Sequence, residues 1–238
     1  MFTDMAQSDY YQDDSAVDAA RDKLRWVATC VAPGGRLLDV GANVGIFARE
    51  AAASYDALGI EPGRRTVEWG RMHLGAPLEV GTIDQSRADF RGRFNAITLF
   101  DVIEHLAEPR RALEQCRDYL APGGHLFITT PDSGSVMARL LGSQWYYIDM
   151  LEHVSLFNRT NLGRLLRETG LAPVAFRTIG RQYRLSYIER RLRELSRDTP
   201  MLSVAHLLAL PLRWASEGRV RLNLGDVMGV TIKRAEDQ

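Results

Sequence analysis

Apolar and polar positions alternate along this chain in two kinds of block. Short apolar runs stand within 36–45 (Leu37, Leu38, Val40), at 56–61 (DALGIE), at 78–81, at 94–100 (FNAITLF) and at 125–130 (HLFITT). Runs of this length, bounded by Gly, Pro or Asp, read as buried strands. Pro109 suits the first turn of a helix reaching about residue 120, which Ala121-Pro122-Gly123-Gly124 then breaks. A helix is also predicted over 18–31. In 158–169 (NRTNLGRLLRET), Leu162, Leu165 and Leu166 fall at helical spacing, Asn158 is placed to cap and Gly170 to terminate. Two further strands are predicted at 172–178 and 226–233. With a helix in each interval between the first five strands, the pattern predicts an α/β fold with a parallel, doubly wound sheet. Ligands of such sheets sit at the carboxyl ends of the strands.

Those ends carry the candidate chemistry. In RLLDVGANVG (36–45), Gly41 permits a sharp turn and Gly45 lets the following helix pack closely on the strand, so that backbone can approach a nucleotide-like ligand. A dinucleotide fingerprint would need glycines at 41, 43 and 46, where this chain has Gly41, Asn43 and Ile46. Asp39 and Asn43 place polar groups beside the turn and suit a ligand with an amino-acid end. The strand 56–61 ends in Glu61, about twenty residues past the first glycine, the spacing at which a carboxylate takes a ribose diol. Because Pro62-Gly63 follows, Glu61 could instead open a surface turn.

The G-x-G-x-G-like loop after Asp39 resembles motif I of the class I S-adenosylmethionine-dependent methyltransferases, with Asn43 departing from the middle glycine. DVIEHL after the strand 94–100 resembles their motif IV, and the helix–PGG–strand order is similar too. The resemblance covers about residues 10–180 and the last strand. It implies a Rossmann-like seven-stranded, mostly parallel sheet with an antiparallel last strand, and S-adenosylmethionine as cofactor. It further implies that Asp84 accepts from the adenine amino group while Ile83 packs on the ring, although Asp84 would equally serve as a helix cap. Phe100 and Asp101 would face the methionine part. Tyr11, after Tyr10, would fold over the cofactor, or else dock the N-terminal arm. The phrase EHVSLFNRTNLGRLLRETGL is similar to a subgroup that methylates small molecules, including sugars and quinone precursors. The expected function is methyl transfer to a small-molecule acceptor, foremost O-methylation of a sugar or natural-product intermediate. N- or C-methylation, and a non-catalytic cofactor-binding protein on the same scaffold, remain open alternatives.

Methyl transfer from a sulfonium is an in-line displacement that needs alignment and exclusion of water, and a hydroxyl acceptor also gains from a general base. His153 is the first candidate and His105 the second. His153 lies in an aromatic segment, 143–157, where Trp145, Tyr146 and Tyr147 either stack on the acceptor or fill core. No metal site is expected, because the end of the strand 94–100 offers chiefly Asp101 as an oxygen ligand.

Charge and composition narrow the partners. The chain has 30 basic and 30 acidic residues, which argues against nucleic acid held on a broad cationic face, even though arginines are dense after residue 176. Cys30 and Cys116 match no metal spacing and are expected to be reduced and packed. With no apolar leader and no run of membrane-spanning length, a cytoplasmic protein is expected. Residues 1–238 read as one domain, with an N-terminal arm and helix at 1–30 and a helical insertion at 183–218. The insertion joins a basic half, YRLSYIERRLREL, to an apolar half, MLSVAHLLALPLRW. It suits a lid over the acceptor, a homodimer surface or a peripheral membrane contact.

Overall fold

The computed structural model describes residues 14–148, 152–185 and 218–237. In chain order the elements are α1 (Asp14–Ala28), β1 (Arg36–Val40), α2 (Ile46–Ala52), β2 (Asp56–Glu61), α3 (Arg64–Leu74), β3 (Leu78–Val80) and β4 (Phe94–Phe100). There follow α4 (Pro109–Tyr119), β5 (Leu120–Pro131), α5 (Val136–Leu141), α6 (Arg159–Glu168), β6 (Leu171–Thr178), β7 (Arg181–Arg184), β8 (Arg219–Leu222) and β9 (Val227–Arg234). Seven strands form one sheet in the order β3-β2-β1-β4-β5-β9-β6, in which β9 alone runs antiparallel to its neighbours. The expected mostly parallel sheet with an inverted last strand is therefore present. The chain moves outward from β1 to β3 and then returns to β4 on the other side of β1. That reversal opens a crevice at the carboxyl ends of β1 and β4.

Alternation along the strands sends side chains into two layers of core. Leu38, Val40, Ile97, Leu99, Leu126 and Ile128 face one layer, with Leu113 of α4 and Leu162 and Leu166 of α6. Leu37, Ala96 and Phe127 face the other, with Trp26 and Val27 of α1 and Phe47 of α2. The Trp26 indole N–H donates to Thr231 Oγ1 at 3.1 Å, which ties α1 to β9. Asn158 caps α6 as expected: its side chain accepts from the Thr160 and Asn161 amides while Asn161 reaches back to the Asn158 amide. Asn158→Ala should lower stability by about 1 kcal/mol, read by urea unfolding.

Three expectations are corrected. No helix joins β3 to β4; a single 3-10 turn at Ala88–Phe90 does so. The segment between them offers only Ile83 and Phe90 as large buried apolar groups, too few for an amphipathic stripe. The expected insertion begins too early, because Tyr183 and Arg184 belong to β7, which pairs with β8 as a separate two-stranded ribbon. Cys30 is exposed rather than packed, whereas Cys116 is buried. Residues 186–217 of the insertion, like Tyr11, lie outside the described residues. Among the described residues, no helix is long and apolar enough to cross a membrane.

Candidate active site

The crevice is framed by the loop after β1. The Gly41 and Ala42 amides donate to the Ile60 carbonyl at 2.9 and 3.1 Å, which pins the loop to β2. Gly41 has φ +70°, and a Cβ there would lie 2.6 Å from Val102 Cγ2. Gly45 has φ +83°, with Ala76 Cβ 2.6 Å from where its own Cβ would stand. Asn43 also has a positive φ, 51°. Asn is among the few side chains that visit this left-handed region readily, so it preserves the backbone course a glycine would take.

Glu61 stands at the end of β2 and braces two loops. Its Oε2 accepts the Asn43 amide at 3.1 Å and its Oε1 accepts the Gly63 amide at 3.2 Å. A carboxylate has roughly four lone-pair sites, so acceptor capacity remains for a diol.

Asp39 is buried, and Thr98 Oγ1 donates to its Oδ1 at 2.6 Å across β1 and β4. Burial pushes its pKa up to about 7, against the Thr98 hydrogen bond and the Lys23 charge. The folded chain therefore holds a proton that the unfolded chain releases near its ordinary pKa. Asp39's contribution to stability is full below that ordinary value and is lost as pH rises towards 7. Asp39→Asn keeps an acceptor for Thr98 and removes the buried charge. Its stability relative to the parent should rise by on the order of 2 kcal/mol between pH 5 and pH 8, measured by urea unfolding. An unchanged difference would show that Asp39 does not titrate in this range.

Asp101, just past β4, has φ 61° and is half-buried. Arg181 Nη2 donates to its Oδ1 at 2.7 Å, Lys23 Nζ to Oδ2 at 3.3 Å, and Thr129 Oγ1 to Oδ1 at 3.1 Å. Burial alone would raise its pKa, but the Arg181 and Lys23 charges outweigh that and hold the carboxyl down to about 2. Phe100 is half-buried in the wall below, edge-on to Phe47 at 5.0 Å, with Lys23 Nζ 4.7 Å from its ring centre.

The adenine-side expectations fare unevenly. Asp84 is half-buried, and its backbone carbonyl accepts from Arg111 at 3.3 Å. Ile83 is only 2% exposed and belongs to the main core, so it offers no open face to a ring. An apolar side chain beside Phe90 and Ile103 is better satisfied inside than in the crevice. A cavity of about 160 Å³ opens at the ends of β2 and β3, lined in part by Ile60, Val80, Thr82 and Gln85.

His105 and His153 meet, with ring centroids 4.8 Å apart. The Val154 and Ser155 amides both donate to the Glu104 carbonyl, at 2.9 and 3.1 Å, and so lay the 153–155 segment on the turn after β4. His105 Nδ1 lies 2.8 Å from the Glu152 carbonyl and His153 Nδ1 3.0 Å from the Tyr147 carbonyl. A carbonyl only accepts, so each Nδ1 carries a proton, and the neutral form of such a ring has its lone pair on Nε2. Burial lowers the His153 pKa, with the nearby His105 and Arg181 acting in the same direction against the Tyr147 carbonyl. Glu104 completes the group. It is 1% exposed, and burial, reinforced by the Asp101 charge, pushes its pKa up to about 7. One ligand atom from each of Glu104, His105 and His153 lies within 4.8 Å of the others. Trp145 and Tyr147 are core residues, packed with Val227, while Tyr146 is exposed.

Sequence reasoning missed Lys23, Arg181, Thr98 and Glu104. Lys23 is one of only two lysines in the chain. Glu104 is signalled by a repeated Glu-His pair, at 104–105 and 152–153. Arg181 was hidden among many arginines.

The donor set fits S-adenosylmethionine. Glu61, Asp39 and Asp101 offer carboxyl acceptors of the kind that a ribose diol and an ammonium group need, cations are at hand, and the loop backbone is shaped by left-handed residues at 41, 43 and 45. A family model described as "Methyltransferase domain" matches residues 12–175. The chain belongs to that family and is a class I S-adenosylmethionine-dependent methyltransferase. It is 26% identical to a ubiquinone biosynthesis O-methyltransferase of Chromobacterium violaceum, over 58% of this chain and 65% of that protein. It is 25% identical to the protein of the same name from Alkalilimnicola ehrlichii, over 82% of each. Among solved structures, a SAM-dependent methyltransferase from Thermotoga maritima superposes with a TM-score of 0.57 at 18% identity, covering 93% of this chain and 90% of that one.

Proposed function

We propose that the protein methylates a hydroxyl group on a ring of a small-molecule acceptor, with Glu104, His105 and His153 activating that hydroxyl. The observation that carries this reading is the convergence of two oriented imidazoles and a buried carboxyl directly after β4, beside Asp101. The relatives named as ubiquinone biosynthesis O-methyltransferases favour oxygen over nitrogen or carbon, and a quinone precursor ahead of a sugar.

The bound cofactor supplies an electrophilic methyl group. The chain's own part is to bind, align and exclude water. The backbone at Gly41–Gly45 receives the cofactor's adenosine and amino-acid parts, with Glu61 toward the ribose hydroxyls. Asp39, Asn43 and Asp101 lie toward the amino-acid end, and Asp84 toward the adenine. Lys23 and Arg181 keep Asp101 ionised. His153 Nε2 stands ready to take the acceptor's proton, because Nδ1 is committed to Tyr147.

Calorimetric titration with S-adenosylhomocysteine, against NAD and NADP, tests the cofactor reading. Micromolar binding of the first alone is expected, and binding of a dinucleotide instead would overturn it. A methylation screen pairing phenols and sugars with their O-methylated or amino counterparts tests the acceptor. Turnover confined to amines would remove the oxygen assignment.

A further inference from the structure

We propose that Glu104, His105 and His153 form a binding site for a divalent first-row transition cation, held by one carboxylate and two imidazole nitrogens. The inference deepens the function proposed above and rests on it only for the cation's role, not for its binding.

Four observations support the site. The three ligand atoms lie within 4.8 Å of one another although they come from two separate chain segments. Glu104 is 1% exposed, and its Oε2 has no hydrogen-bond partner within 3.5 Å among the described residues, although the Thr130 hydroxyl is close enough to favour the ionised carboxyl. A buried carboxylate oxygen without a partner is costly, and a cation would satisfy it. Both imidazoles donate Nδ1–H to backbone carbonyls, the arrangement that orients a histidine to ligate through Nε2. Finally, both histidines are only half-buried, so an ion can enter from solvent.

The donor set selects the ion. Two imidazoles and one carboxylate suit Zn²⁺, Fe²⁺, Co²⁺ or Mn²⁺, whereas Mg²⁺ and Ca²⁺ prefer all-oxygen shells. Three protein ligands leave a coordination position open, the pattern of catalytic rather than structural zinc. Donors at about 2.1 Å from a tetrahedral ion stand roughly 3.4 Å apart, so the side chains must close by about an ångström on binding. Rotation of the half-buried rings supplies that movement.

In the proposed role the acceptor's hydroxyl oxygen takes the open position, and its acidity rises there. The O–H proton passes to solvent. The oxygen lone pair forms the new bond to the methyl carbon as the carbon–sulfur bond breaks, and sulfur keeps that electron pair. With the cation bound, His153 Nε2 is a ligand, and the cation's acidifying effect replaces the proton-accepting role given to that nitrogen above.

The test is calorimetric titration of the full chain, stripped with EDTA and free of cofactor, with ZnCl₂ alone. One equivalent should bind at micromolar affinity or tighter. Glu104→Gln and His153→Ala should each weaken it at least tenfold, while His73→Ala, at an exposed position of α3, should not. Glu104→Gln removes a buried charge and so guards against loss by misfolding. Co²⁺ substitution should give an intense visible absorption band in the parent and lose it in both variants. No binding, binding that the two variants leave unchanged (an adventitious ion only), or tighter binding of Mg²⁺ than of Zn²⁺ would each overturn the site. If S-adenosylhomocysteine binds and turnover survives EDTA, the cation fails while the methyltransferase reading stands. If Zn²⁺ binds as described but only amines are methylated, the hydroxyl reading fails and the site stands.

Discussion

Gly41→Val is expected to abolish calorimetrically measurable binding of S-adenosylhomocysteine while leaving the chain folded. Two costs add at this position. The φ of +70° lies in the left-handed region, where a residue with a Cβ is disfavoured by about 1–2 kcal/mol and a β-branched one by more. The new Cβ would also stand 2.6 Å from Val102 Cγ2, a clash worth about 1–3 kcal/mol to relieve. The chain can relieve both only by moving the loop, and the loop is where we propose that the cofactor sits. Its amides at Gly41 and Ala42 are pinned to Ile60, so the shift passes directly into β2 and Glu61. The melting temperature should fall by roughly 5–15 °C, given about 2–4 °C per kcal/mol for a chain of this size. Circular dichroism confirms that the variant is folded at the titration temperature. A folded variant that binds the cofactor product within threefold of the parent would mean the ligand does not use this loop.

His153→Ala is expected to reduce turnover by about 10²–10⁴-fold, the usual worth of a positioned proton-transfer group or of an acidifying ligand. Cofactor affinity should stay within twofold. The side chain belongs to the segment laid on Glu104, away from the glycine loop and from Glu61. Its ring is partly buried and stacks at 5.9 Å on Tyr147, so a small fall in stability is expected as well. The informative pairing is therefore kcat against S-adenosylhomocysteine affinity. Loss of both would recast His153 as a structural support, and retention of both would remove it from the chemistry.

Much of the scaffold was legible from local pattern. β2 and β4 occupy the predicted residues, and α4 and α6 start where Pro109 and Asn158 place them. Such features are read from a few neighbouring residues, because hydrophobic runs, caps and glycine turns act over one or two turns of chain. The placement of Asp39, Glu61, Phe100 and Asp101 at or next to the carboxyl ends of β1, β2 and β4 follows from the strand boundaries alone. Between β3 and β4 the reasoning failed because alternation was extended to a segment with too little apolar surface to dock a helix. Ile83 shows the converse failure. It was expected to face a ligand ring, and its side chain lies in the main core, only 2% exposed.

By itself, then, the sequence determined the α/β class, the strand-and-turn frame of the crevice and the glycine-loop residues that shape it. Each of these depends on backbone preference and on burial within a short stretch. Only the tertiary structure decided which charges meet there. Asp101 is joined to Lys23 across 78 residues and to Arg181 across 80, and His105 reaches the Glu152 carbonyl across 47. No periodicity reports such pairs. They are set by how α1, the ribbon and the 152–155 segment close over one end of the sheet, and that closure is decided by packing of the whole core rather than by any local propensity.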